Sequence, residues 1–131
     1  MLARGAALGF VLAAVAMFGL HWPFESEALN GLALFLAFTG CVYPGALLAQ
    51  SGARWVVVSE IGVAAAVFFC AWMGIAQHPL WIALGYLGHG IWDWGHHAQH
   101  IPTRTAKWFP PACAVFDIVI AGYAAWVAMS L

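Results

Sequence analysis

Charge is what this sequence has least of. Of its 131 residues only four are Lys or Arg and five are Asp or Glu, 7% in all, against 65% apolar residues. Such a chain cannot cover itself with a charged surface, which excludes an ordinary soluble globule, and its mean hydropathy of +0.90 is that of a membrane protein. A net charge of −1 and four scattered basic residues exclude a nucleic-acid face, so no nucleic-acid partner is expected. The cysteines, Cys41, Cys70 and Cys113, lie far apart in apolar stretches with no Cys-x-x-Cys. A disulfide framework is therefore excluded, and they read as small buried hydrophobes. Gly-x-Ser-x-Gly is absent, and serine-type acyl chemistry goes with it. Neither an internal repeat nor a low-complexity tail divides the chain, and residues 1–131 make one domain.

What is present is five apolar segments, at about residues 2–20, 27–49, 55–76, 80–99 and 111–130, each near the roughly 20 residues a spanning helix needs. Turn residues separate them: His21-Trp22-Pro23, Gln50-Ser51-Gly52-Ala53-Arg54, Gln77-His78-Pro79, and a stretch from Ile101 to Pro111 holding Pro102, Pro110 and Pro111. The expected fold class is all-α, an integral-membrane bundle of five transmembrane helices. Arg4 before an apolar run resembles a signal peptide, but the run is long, and a retained helix is expected.

Orientation follows from the basic residues. With five spans, Arg4, Arg54, Arg104 and Lys107 all fall on one side, while Glu25 and Glu27 fall on the other. The positive-inside rule then places the N-terminus in the cytoplasm and the C-terminus outside. Trp22, Trp55, Trp81 and Trp108 stand at segment ends, as an aromatic belt does.

The fourth segment concentrates the ionisable side chains. His89, Asp93, His96, His97 and His100 follow one another at spacings that, at about 100° per residue, fall within an arc of roughly 100°. Ionisable groups are expensive in lipid and mark functional sites by default. Depth adds carboxylates from two other segments. Asp93 and His96 lie about 5–9 Å from the inner end of their helix, Glu60 about 7.5 Å in from Trp55, and Asp117 about 9 Å in from Pro111. Glu60, Asp93, His96 and Asp117 are therefore expected at one level in the cytoplasmic third of the bilayer.

Imidazoles and carboxylates without a thiolate run suit Zn²⁺, Fe²⁺ or Mn²⁺. The expected ligands are His89, Asp93, His96, His97 and His100, with Glu60 and Asp117 as further ligands or the general acid/base. One or two ions, iron or zinc, would be held in the manner of di-metal helical bundles. The bland alternatives are that His97 and His100 are wetted groups at a helix end, and that Glu60 and Asp117 are interhelical hydrogen-bond staples.

Other residues carry narrower expectations. Gly88 and Gly95 leave a shallow groove for another helix, within the chain or between subunits. Tyr86 is placed to support a metal ligand, and Trp92 and Trp94 read as packing and belt residues. His78 sits at the outer surface and takes no part. Pro44 should kink the inner end of the second helix, with Thr39, Cys41 or Tyr43 facing the polar region. Cys113, one turn before Asp117, is a further candidate ligand.

The stretch His89-x3-Asp93-x2-His96-His97 resembles the two shorter histidine boxes of integral-membrane fatty-acid hydroxylases and desaturases, fused and with Asp93 in place of a histidine. The resemblance covers nine residues and implies a di-iron centre acting on lipid, although no further box follows. Trp-Asp-x-x-His-His with the later Trp-Phe-Pro-Pro and Phe-Asp is also similar to small, uncharacterised multi-pass bacterial membrane proteins. That implies residence in a bacterial cytoplasmic (inner) membrane.

The expected function is a metal-dependent membrane enzyme for a lipid or isoprenoid substrate near the cytoplasmic leaflet, a hydrolase if zinc and an oxygenase or desaturase if iron. Metal or proton transport, haem binding through His89, and a structural role in a membrane complex are the alternatives. Membrane lipid, a lipid-like substrate, and a second copy or complex subunit are the expected partners.

Overall fold

The computed structural model describes residues 2–24 and 27–130, with no strand among them. Glu25, and the side chains of His21 and Trp22, lie outside the described residues. The helices are α1 (Leu2–Phe24), α2 (Ala28–Gly40), α3 (Val42–Leu47), α4 (Arg54–Ala76), α5 (Leu80–His97) and α6 (Phe109–Met129). The first helix continues through Trp22-Pro23 to Phe24, past the break expected there. The second segment is divided at Cys41 into α2 and α3. Pro44 has no N–H to donate to Gly40 one turn back, which ends the regular ladder and turns the chain.

Leu2–Leu20, Ala28–Leu47, Arg54–Ala76 and Phe109–Met129 are long and apolar enough to cross a membrane, the four such helices among the described residues. The 18-residue α5 lacks their hydropathy because it carries the histidines and Asp93. Burial is inverted relative to a soluble protein. Phe10, Phe18, Leu34, Phe38, Trp72 and Ile91 point outwards, while Glu60, His89, Asp93, His96 and Asp117 are buried. Large apolar groups outside and ionisable ones inside suit a hydrocarbon solvent, not water.

α5 packs chiefly against α6 and α4, whereas α1 leans on α6 and barely meets α2. The α1–α6 approach depends on Gly5 and Gly9. A Cβ on Gly9 would come within 2.1 Å of the Ala112 carbonyl oxygen, and one on Gly5 within 2.6 Å of that of Trp108. This small-x-x-x-small pair brings the two backbones together. Gly88 meets nothing within 4 Å among the described residues, while Gly95 faces Ile101.

The interior divides by composition. Toward the α4–α5 turn it is apolar, built from residues such as Leu32, Leu36, Ala71, Ile82 and Ile120. Toward the basic loops it is polar. There the Gln50 side chain exchanges hydrogen bonds with the Arg104 backbone, fastening the α3–α4 loop to the α5–α6 loop. Arg4 and Lys107 line one hollow, so the basic residues gather at one end of the bundle.

Candidate metal centre

The polar residues of α5 serve two centres. At the first, Asp93 follows His89 by one helical turn, so both face α6. Gly90 between them lets α6 come close: a Cβ there would lie 3.2 Å from the Asp117 Cβ and 3.3 Å from the Ala114 oxygen. Asp117 is thereby delivered to His89, with Nδ1 to Oδ2 at 2.7 Å, and the same Nδ1 stands 3.5 Å from Asp93 Oδ2. Tyr43 of α3 donates its hydroxyl to Asp93 Oδ1 at 2.5 Å. Asp93 Oδ2 accepts no hydrogen bond although the residue is 0% exposed. His89, Asp93 and Asp117 form a group whose candidate ligand atoms all lie within 4.8 Å of one another.

The second centre is built around Glu60 of α4. Oε1 accepts from His96 Nε2 at 2.8 Å and from the Thr103 hydroxyl, and Oε2 accepts from Trp92 Nε1 at 2.9 Å. The other ring nitrogen of His96 faces the Trp92 carbonyl oxygen at 3.0 Å. Every side-chain polar atom of the pair has a hydrogen-bond partner. Tyr43 joins the two centres: its ring stacks on His96 at 3.7 Å and 6°, while its hydroxyl reaches Asp93.

The residues expected at a single site are therefore distributed. His89, Asp93 and Asp117 come together; His96 and Glu60 pair with each other instead. His97 is half-buried against the Trp94 ring at 5.3 Å, and His100 is exposed. His100 leaves the stripe because α5 stops at His97 and Gln99 adopts a left-handed φ of 60°. The amide of His100 then bonds back to the Gly95 carbonyl and that of Gln99 to His96, a Schellman ending. Tyr86 does not support His89; its hydroxyl goes to the Leu32 carbonyl oxygen at 2.8 Å. Of the candidates on the second segment Tyr43 reaches the centre and Thr39 lines the cavity beside it, its hydroxyl donating to the Leu36 carbonyl oxygen, while Cys41 is exposed. His78 is exposed at the other end, accepting from the Leu80 amide.

Two donors to Glu60 escape a sequence reading. Trp92 lies in an apolar run, and Thr103 lies in a loop whose course no periodicity describes.

Beside the first centre runs a groove of about 710 Å³ between α1, α2 and α6. Its walls are apolar, among them Leu12, Val15, Leu32, Phe35 and Phe116, and its polar patch includes His89, Asp93, Asp117, Tyr43, Thr39 and Cys113. It exists because α1 and α2 diverge while both remain packed elsewhere.

The chain belongs to the Family of unknown function (DUF6010), matched over residues 5–130. No curated protein and no solved structure matches it. The match embraces all six helices and both polar centres, and it brings no activity with it. The histidine-box likeness thus rests on nine residues of sequence, and of those His89 and Asp93 face one centre while His96 faces another.

Proposed function

We propose that this protein is an integral-membrane, metal-dependent enzyme whose ion is held by His89, Asp93 and Asp117 at the wall of a lipid-accessible groove. One observation carries the reading: Asp93 Oδ2, buried and without a hydrogen-bond partner, stands beside a second carboxylate and an imidazole. A bare carboxylate oxygen in so dry a place costs several kcal/mol by the usual scale for buried charge unless it takes up a proton or pairs with a cation, and the adjoining carboxylate and imidazole suit a cation. Three buried carboxylates, Glu60, Asp93 and Asp117, also outnumber the two buried imidazoles, His89 and His96.

The donor set of one nitrogen and two carboxylates suits zinc, iron or manganese, and three protein ligands leave room for a substrate. Zinc would supply activated water and iron would supply oxygen chemistry. The chain's own residues position and exclude. Tyr43 holds the Asp93 carboxyl through Oδ1, and Oδ2, without a hydrogen-bond partner, would be the atom to hold an ion. Glu60, expected as a further ligand or the general acid/base, is enclosed by its three donors and braces the second centre. The apolar groove walls keep water from the centre and suit a lipid or isoprenoid chain. By the positive-inside rule the basic end, with the N-terminus, faces the cytoplasm and the C-terminus lies outside, in a bacterial inner membrane.

Elemental analysis of the detergent-purified protein tests this. Near-stoichiometric zinc, iron or manganese is expected in the wild type, lost in Asp93→Asn and retained in Glu60→Gln. A metal-free wild type after expression in metal-replete medium would overturn the reading and leave a hydrogen-bonded His–Asp–Tyr network.

A further inference from the structure

The groove does not stop at the carboxylates. Leu8 and Trp108 line it, and the same two residues line an adjoining hollow with Arg4, Gly5 and Lys107. No carboxylate is among the described residues of that hollow. One end of the apolar groove therefore adjoins two basic side chains beside an exposed tryptophan. We infer that the groove's occupant is a long-chain amphiphile with a single anionic headgroup, held by Arg4 and Lys107 at the cytoplasmic rim. The inference rests on the groove being the ligand site proposed above, and it names the ligand's class.

The dimensions agree. Arg4 and Gly19, both on α1, are separated by fifteen residues, about 22 Å at 1.5 Å each. That exceeds the roughly 15 Å depth of one leaflet's hydrocarbon, so an extended long chain fits. Asp117 lies eight residues into α6 from Phe109, about 12 Å from the rim. His89, Asp93 and Asp117 then meet the chain well below its headgroup. The reacting position would be an interior carbon of the chain, and the basic pair sets which one by fixing the other end. The far end is open at Gly19, where an added Cβ meets nothing within 4 Å.

Binding of radiolabelled oleate, oleyl alcohol and inorganic phosphate to the full-length protein in neutral detergent tests this. The exposed pair is neutralised in an Arg4→Gln/Lys107→Gln variant, which leaves the core intact. Oleate affinity is expected to fall about thirty-fold there, from roughly a fivefold share for each basic group, while oleyl alcohol binding stays the same. Gly19→Phe, which fills the groove's end, should weaken oleate and oleyl alcohol alike. Oleate binding that is absent, or equal in all variants, overturns the inference, as does phosphate competing with oleate as well as unlabelled oleate does. Asp93→Asn separates the two readings. Charge-dependent oleate binding by a wild type that holds no metal removes the metal centre and keeps the amphiphile. Metal lost in Asp93→Asn, with oleate binding indifferent to Arg4 and Lys107, does the reverse.

Discussion

His89 and His96 sit on nearly the same face of one helix, about 10.5 Å apart along its axis, and each meets a carboxylate from a neighbouring helix. The distances are almost equal, 2.7 Å to Asp117 and 2.8 Å to Glu60. The surroundings differ. Glu60 is ringed by three donors, and His96 has both nitrogens occupied. Around His89 a second carboxylate crowds in, one of its oxygens is left bare, and a groove lies alongside. A histidine–carboxylate pair inside a membrane is thus no mark of a site by itself. The feature that sets the first centre apart is the open acceptor beside a cavity, and the proposed site rests on it.

The sharpest way to break this contrast is to remove the acceptor of the closed centre. Glu60→Leu strands the Trp92 indole, the Thr103 hydroxyl and a His96 nitrogen in a dry interior. Destabilisation of about 3 kcal/mol is expected from the usual cost of breaking a buried pair, read by unfolding in mixed micelles. Metal content per folded molecule should be unchanged. If Glu60→Leu instead loses metal while staying folded, the two centres are one.

Next comes the close approach that makes the open centre. Gly90→Ala places a methyl against Asp117 Cβ and the Ala114 oxygen, so α6 must yield by a few tenths of an ångström. Overpacking of this kind costs about 1 kcal/mol, and displacing a ligand's support lowers metal affinity about tenfold or more. Equilibrium dialysis against chelator series measures the second effect. The His96–Glu60 centre, which faces α4, should be unaffected.

Tyr43→Phe sharpens the comparison because it cuts only one of two links. The stack on His96 survives, while the hydroxyl bond to Asp93 is lost. The expectation is a loss of about 1 kcal/mol of stability and weaker metal binding, since Asp93 is no longer held in place. Equal metal affinity in wild type and Tyr43→Phe would mean that Asp93 needs no positioning.

How far the sequence discloses this arrangement depends on which coordinate is asked for. Length and apolar runs give the helices, and the rise of 1.5 Å per residue gives depth. Glu60, Asp93, His96 and Asp117 are all found in the polar part of the interior. Azimuth is another matter. Which histidine each carboxylate faces depends on how α4 and α6 are set around α5, and that is decided by contacts such as Gly90 on Ala114 and Asp117. Tyr43 owes its place to the break at Cys41 that Pro44 foretells, but its span between two centres follows only from tertiary packing. Thr103 is invisible because its loop has no period. The Gly5-x-x-x-Gly9 spacing, by contrast, is a legible signal for the α1–α6 contact; the Gly88/Gly95 pair has the better stripe but no partner helix among the described residues.

The smallest expected effects belong to His97 and His100, and they bear directly on the stripe. All five residues share an arc if the helix runs on to residue 100, yet it ends at His97, and Gln99 reverses the chain at φ 60°. His100 then stands in the open, and His97 lies on Trp94 rather than on a carboxylate. Substituting either by Ala should change stability by no more than about 0.5 kcal/mol, as at other surface positions, with full metal content by elemental analysis. A loss of metal in His100→Ala would require the 98–108 loop to fold inwards on metal binding and bring a nitrogen to Asp93. Gln99→Gly distinguishes the cases, because glycine adopts the left-handed turn without the Cβ penalty and should favour the outward loop slightly. If it stabilises the protein and leaves the metal in place, the stripe ends where the helix does.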